Sequence, residues 1–121
     1  MQFIGVDIVE IDRIKSAINN FGEKFLQRIY TRRELEIYGE KPSSLAARFA
    51  AKEAVIKALG KITNGVIWRE IEILSDTNGK PVVNLYGRTK NQAVSLGLVG
   101  FNISLSHSRE YAIAFVTGET T

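Results

Sequence analysis

The sequence predicts an α+β fold in which a largely antiparallel sheet packs against one long alanine-rich helix and several shorter ones. Three observations carry that expectation. Elements run in the order strand, helices, strands, helix, strands. The stretch from Arg48 to Gly60 is dense in alanine, holds no proline, and ends on a glycine. An Asn-Gly step at Asn78-Gly79 separates two apolar runs, as in a hairpin.

Each element has its own local reason. Residues 2–9 (Phe3, Ile4, Val6, Ile8 and Val9 with few breaks) read as a buried strand. A helix follows from about Glu10 to Asn20, with Ile11, Ile14 and Ile18 inward, and Asn19, Asn20 and Gly22 closing it. Glu23 to Tyr30 forms a short helix with Phe25, Leu26 and Ile29 against the core. Thr31-Arg32-Arg33-Glu34 has the form of a capping box and starts a helix running to about Tyr38. Pro42, Ser43 and Ser44 make a turn and cap, and the alanine-rich helix comes next. Strands are expected over Val66 to Leu74 and Pro81 to Tyr86, around the turn Asp76-Thr77-Asn78-Gly79. Gly87 to Leu98 returns to helical spacing, and Phe101 to Ser106 and Tyr111 to Thr117 close the chain as two strands.

Length and composition narrow the function classes. A chain of 121 residues makes one domain with a single core. With no cysteine, disulfides and thiolate metal sites are excluded, so a metal would need oxygen ligands or the one histidine, which favours a hard cation such as magnesium. The opening MQFIGVDIVEID has no basic region before its apolar run and is interrupted by Asp7 and Glu10, so neither a signal peptide nor a membrane span is expected and the cytoplasm is. A formal charge of +3 suits an acidic partner: nucleic acid, an acidic protein or a phosphorylated small molecule. Phosphate-binding loops of the GxxxxGK[ST] type, GxGxxG fingerprints and GxSxG elbows are absent.

Candidate chemistry concentrates at a few positions. Asp7 stands inside an apolar strand, where a carboxylate needs a partner; it reads either as a cap for the next helix or as a metal ligand. Glu53 and Lys57 lie one turn apart on a helical stripe shared with Ala46, Phe49 and Ala50. Small neighbours let a ligand or backbone approach, so this pair is either a surface ion pair or part of a metal or phosphate site. His107 sits between Ser106 and Ser108 in a turn and is either incidental or a ligand group. Arg13, Lys15, Lys24, Arg28, Arg32 and Arg33 cluster in the first third, as solvated helix backs or as a basic patch.

The runs GVDIVEIDRI, FLQRIYTRRE, RFAAKEAVIKALG, WREIEI, the NGKP turn and SLSHSREYAIAFV, in this order across the whole chain, closely resemble the holo-acyl-carrier-protein synthases, a family of 4′-phosphopantetheinyl transferases. The Gly-x-Asp of the first strand, with Arg-Phe-x-x-Lys-Glu-x-x-x-Lys in a helix, is the most specific part. The resemblance implies a 4′-phosphopantetheinyl transferase-like fold. The implied activity moves the phosphopantetheine arm of coenzyme A to a serine of apo acyl carrier protein, releases 3′,5′-ADP, and serves fatty acid biosynthesis. It implies that Asp7 and Glu53 hold a magnesium ion, that Lys57 lies beside the coenzyme A pyrophosphate, and that Gly60 is among the coenzyme A-binding residues. Ser106, His107 and Ser108 are placed near the nucleotide end. Arg13, Lys24 and Arg28 are placed where the carrier docks. It also implies a homotrimer with active sites between subunits.

The base is then Glu53 or a water that it orients. Two features depart from or complicate the pattern: Lys61-Ile62-Thr63 stands where family members often have Thr-Gly after the helix, and Glu10 fits the pattern but reads as structural. Two alternatives compete with this reading. A nucleic-acid-binding module would use Tyr30, Tyr38, Trp68 and Tyr86, and a broader transferase would act on other carriers but is expected in chains about twice as long.

Overall fold

A computed structural model describes residues 2–60 and 65–121, so Lys61-Ile62-Thr63 lies outside the described residues. The elements in order are β1 (Phe3–Glu10), α1 (Ile11–Phe21), α2 (Glu23–Ile29), α3 (Arg32–Tyr38), α4 (Pro42–Leu59), β2 (Ile71–Ser75), β3 (Pro81–Leu85), α5 (Gly87–Ser95), β4 (Leu98–His107) and β5 (Tyr111–Thr120). All strand pairs are antiparallel, in a three-stranded sheet of order β1-β5-β4 and a separate β2-β3 hairpin. The expected α+β class holds.

The long helix lies on one face of the three-stranded sheet. Ala46, Ala50, Ala51 and Ala54 of α4 and Ala112, Ala114 and Val116 of β5 are fully buried. Small residues on both surfaces bring helix and sheet close, and the approach is closest at Gly5 of β1. A Cβ built there would lie 2.8 Å from the Ala54 carbonyl carbon and 3.1 Å from the Ala58 amide nitrogen.

Several boundaries differ from the sequence expectation. β1 is not buried on both sides: Phe3, Gly5 and Val9 face α4, whereas Ile4, Val6 and Ile8 are exposed on the other face. Its unbroken apolar run reflects two different faces, one covered by the helix and one bare within the single chain. Pro42 is the first residue of α4 and not part of a preceding turn, which suits a residue without an N–H at a helix start. The strand expected from Val66 begins only at Ile71, because Trp68–Glu70 forms a 3₁₀ turn. Trp68 there stacks on Phe49 of α4, with centroids 5.3 Å apart. α5 stops at Ser95, ahead of Gly97 at φ +81°, and β4 begins at Leu98, three residues before the expected Phe101.

The capping box at α3 forms as expected: Glu34 N–H donates to Thr31 Oγ1 at 3.2 Å and Thr31 N–H to Glu34 Oε1 at 2.8 Å. The same carboxylate is entirely buried and also accepts from Lys52 Nζ at 2.8 Å and Ile73 N–H at 2.8 Å. Lys52 Nζ donates further to the carbonyls of Trp68 and Ile71. One buried ion pair thus joins α3, α4 and β2. Burial holds the Lys52 pKa below its ordinary value, and Glu34 and Glu72 offset only part of that.

Candidate active site

Asp7 projects from the middle of β1 towards α4, opposite Ala114 in the strand register. This excludes the helix-cap reading, since the cap position of α1 is Glu10, three residues on, and Glu10 makes no side-chain cap bond. Across the gap stand Glu53 and Lys57. Lys57 Nζ donates to Asp7 Oδ1 at 3.0 Å and to the Val6 carbonyl at 3.1 Å. Glu53 is half-buried, and its carboxyl is held above the usual range, first by desolvation and then by the neighbouring charge of Asp7; Lys57 and Arg13 oppose the shift.

Asp7 of β1 and Glu53 and Lys57 of α4 therefore stand together where the helix crosses the strand, and the charge of Arg13 on α1 acts on Glu53. A carboxylate whose ionisation is disfavoured by desolvation and by a neighbouring carboxylate suits a divalent cation. Among the described residues no group of three or more acidic, histidine or cysteine side chains forms a metal cage. The donor set fits magnesium, which commonly takes one or two protein carboxylates and leaves its remaining positions to water and substrate phosphate.

Gly60 closes α4 with φ +83°, donates its N–H to the carbonyls of Ile56 and Lys57, and has open space where a side chain would stand. That leaves its backbone accessible one turn beyond Lys57.

The other expected positions fall into separate groups. His107 and Ser108 line a pocket with Ile11, Lys15, Pro42, Ser43 and Arg109, at the start of α4. The Ser108 hydroxyl oxygen accepts from the amides of Glu110 and Tyr111, at 3.3 and 3.2 Å, and shapes the β4–β5 turn. Ser106 does not join them. It pairs with Ile113 on the opposite, outer face of the sheet, because alternate residues of a strand point to opposite sides. Lys24 and Arg28 line a shallow groove with Phe21 and Phe25, whereas Arg13 acts on Glu53.

Sequence reasoning missed that Lys15, from distant α1, joins His107 and its near neighbour Arg109 at this pocket. It also gave Lys52 no role; the available signal was a lysine set among Ala50, Ala51 and Ala54. The aromatics proposed for base stacking are dispersed. Tyr30 is fully buried with its hydroxyl on the Leu45 carbonyl, Tyr38 lies under the Arg48 guanidinium, and Trp68 is stacked on Phe49.

The family model described as the 4′-phosphopantetheinyl transferase superfamily matches residues 3–116. The chain belongs to that superfamily. A holo-[acyl-carrier-protein] synthase of Dehalococcoides mccartyi is 50% identical over 119 residues, covering 98% of this chain and 99% of that protein. One from Herpetosiphon aurantiacus is 46% identical over 125 residues, with 98% of each covered. Among solved structures, Helicobacter pylori holo-[acyl-carrier-protein] synthase in complex with coenzyme A is similar at a TM-score of 0.86 and 33% identity, over 96% of this chain and 99% of that one. Both of these relatives, and the solved structure, bear the name holo-[acyl-carrier-protein] synthase. No helix among the described residues is long and apolar enough to cross a membrane.

Proposed function

We propose that this enzyme transfers the 4′-phosphopantetheine group of coenzyme A to a serine hydroxyl of apo acyl carrier protein, releasing 3′,5′-ADP, with magnesium held by Asp7 and Glu53. The observation that carries this reading is the convergence of Asp7, Glu53 and Lys57 from β1 and α4. The serine oxygen forms a bond to the phosphorus bearing pantetheine as the bond to the ADP oxygen breaks, so negative charge moves onto the leaving phosphate. Magnesium, when bound, neutralises part of that charge and aligns the pyrophosphate. Lys57 offers its ammonium to the same oxygens, and its hold on Asp7 and Val6 keeps it aimed there. Glu53 receives the serine proton, directly or through a water that it orients.

The cationic pocket of Lys15, His107 and Arg109 suits the 3′-phosphate of coenzyme A. It lies at Ser43, ten residues from Glu53, or about 15 Å along α4. That exceeds the span from 3′-phosphate to 5′-pyrophosphate within one nucleotide, which favours a site completed by a neighbouring chain. The bare outer face of the sheet, with Ile4, Val6, Ile8, Ile113 and Phe115 exposed, gives such a neighbour an apolar surface, in keeping with a cytoplasmic homotrimer. Lys24 and Arg28, flanking Phe21 and Phe25, offer an acidic carrier helix both charge and an apolar anchor.

Incubation with coenzyme A, magnesium and apo acyl carrier protein should add one phosphopantetheine mass to the carrier. Asp7→Ala and Glu53→Ala should each abolish the gain while the fold persists. A carrier left unmodified by the wild-type protein, across several bacterial-type carriers, would overturn the proposal.

A further inference from the structure

We infer that Gly5 is a positioning residue for the carboxylate pair: its missing side chain sets the depth at which α4 sits on β1, and so the separation of Asp7 from Glu53. This rests on the reading of Asp7 and Glu53 as the magnesium ligands. Gly5 lies two residues before Asp7 on the same face of β1, and Glu53 is next in sequence to Ala54. A Cβ at Gly5 would collide with the Ala54 peptide, carbonyl oxygen included, and press on the Ala58 amide nitrogen at 3.1 Å. The obstructing atoms are helix backbone, which no rotamer change can move. Relief therefore needs the helix itself to rise or slide.

Both contacts that define the site cross this same gap. Lys57 reaches the Val6 carbonyl and Asp7 Oδ1 only because one helical turn passes directly over β1. A strand glycine is normally a cost, because it gives up packing and adds chain entropy to the unfolded state. Here the close approach that it permits fixes the geometry of two ligands on separate elements, and metal sites lose affinity when ligands shift by fractions of an ångström.

The test measures magnesium binding by calorimetry, with coenzyme A at saturation, and thermal unfolding on each variant. Gly5→Ala should weaken magnesium binding at least tenfold and raise the magnesium requirement of the reaction similarly. The helix-start variant Gly87→Ala, which collides with Glu70 at the start of α5, provides a destabilised control with wild-type metal affinity. Adding Ala54→Gly to Gly5→Ala should rescue nothing, since the clash is with backbone. If Gly5→Ala does not fold, Ala114→Val thickens the same layer beneath α4, opposite Asp7, and should weaken magnesium binding severalfold. Wild-type magnesium affinity in a folded Gly5→Ala, or failing that in Ala114→Val, overturns the inference. Wild-type affinity in Asp7→Ala would instead overturn the ligand assignment beneath it.

Discussion

Lys57 of α4 donates to Asp7 of β1 at 3.0 Å, with the lysine side chain 54% exposed and the aspartate 15%. In so open a setting the ion pair contributes at most about 1 kcal/mol to stability. The same ammonium facing a phosphoryl group that gains charge is worth far more, roughly 10²- to 10³-fold in rate. Lys57→Met should therefore lower kcat by that factor while the thermal midpoint moves by only a few degrees. Carrier mass analysis and a melting curve on one preparation separate the two effects.

Glu53 gives a pH signature. Its folded pKa is raised, by desolvation and then by Asp7, so the folded chain holds this proton to higher pH than the unfolded chain does. The group's contribution to stability then declines as pH rises from the unfolded value of 4.5 through the folded pKa, and a penalty remains above it. Glu53→Gln should be inactive and at neutral pH no less stable than the wild type in urea unfolding. Carboxyl NMR titration of the metal-free protein should find the Glu53 pKa lowered by Asp7→Asn and raised further by Arg13→Ala.

The basic residues divide into two classes. Lys24 and Arg28 border an apolar groove, so Lys24→Glu with Arg28→Glu should raise KM for the carrier at least tenfold and leave KM for coenzyme A unchanged. Arg13 acts on Glu53, so Arg13→Ala should alter kcat and its pH profile as well. Steady-state kinetics with each substrate varied in turn tests the division, and the carrier term should weaken with added salt.

Phe115 is 46% exposed on the outer face of the sheet, among Ile4, Val6, Ile8 and Ile113. Phe115→Glu places a charge on that face without touching the face packed on α4. Light scattering should show the proposed trimer dissociating into folded monomers, with activity lost because the nucleotide pocket and the carboxylate pair would no longer combine across chains. Full activity in a monomer would refute the intersubunit site.

Local rules made much of the fold legible. The capping box at Thr31 and Glu34, the glycine at the end of α4 and the Asp76–Gly79 turn are short-range devices, in which neighbouring residues satisfy one another's backbone groups. All three form as expected. The errors arose where a distant partner chose the conformation. Trp68 left the strand pattern to stack on Phe49, and Ser106 parted from His107 because strand pleating sends adjacent side chains to opposite faces. Lys52 looked like an ordinary helix lysine until Glu34, eighteen residues away in sequence, met it in the core.

By itself the sequence determined the kinds of element, their order, and the stock of oxygen ligands and cations, since composition and periodicity are properties of adjacent residues. Only the tertiary structure decided that Asp7, Glu53 and Lys57 come together where α4 crosses β1, with the charge of Arg13 acting on Glu53. Their meeting depends on how far α4 descends onto β1, and that depth is fixed by backbone against backbone at Gly5, a contact between segments some fifty residues apart.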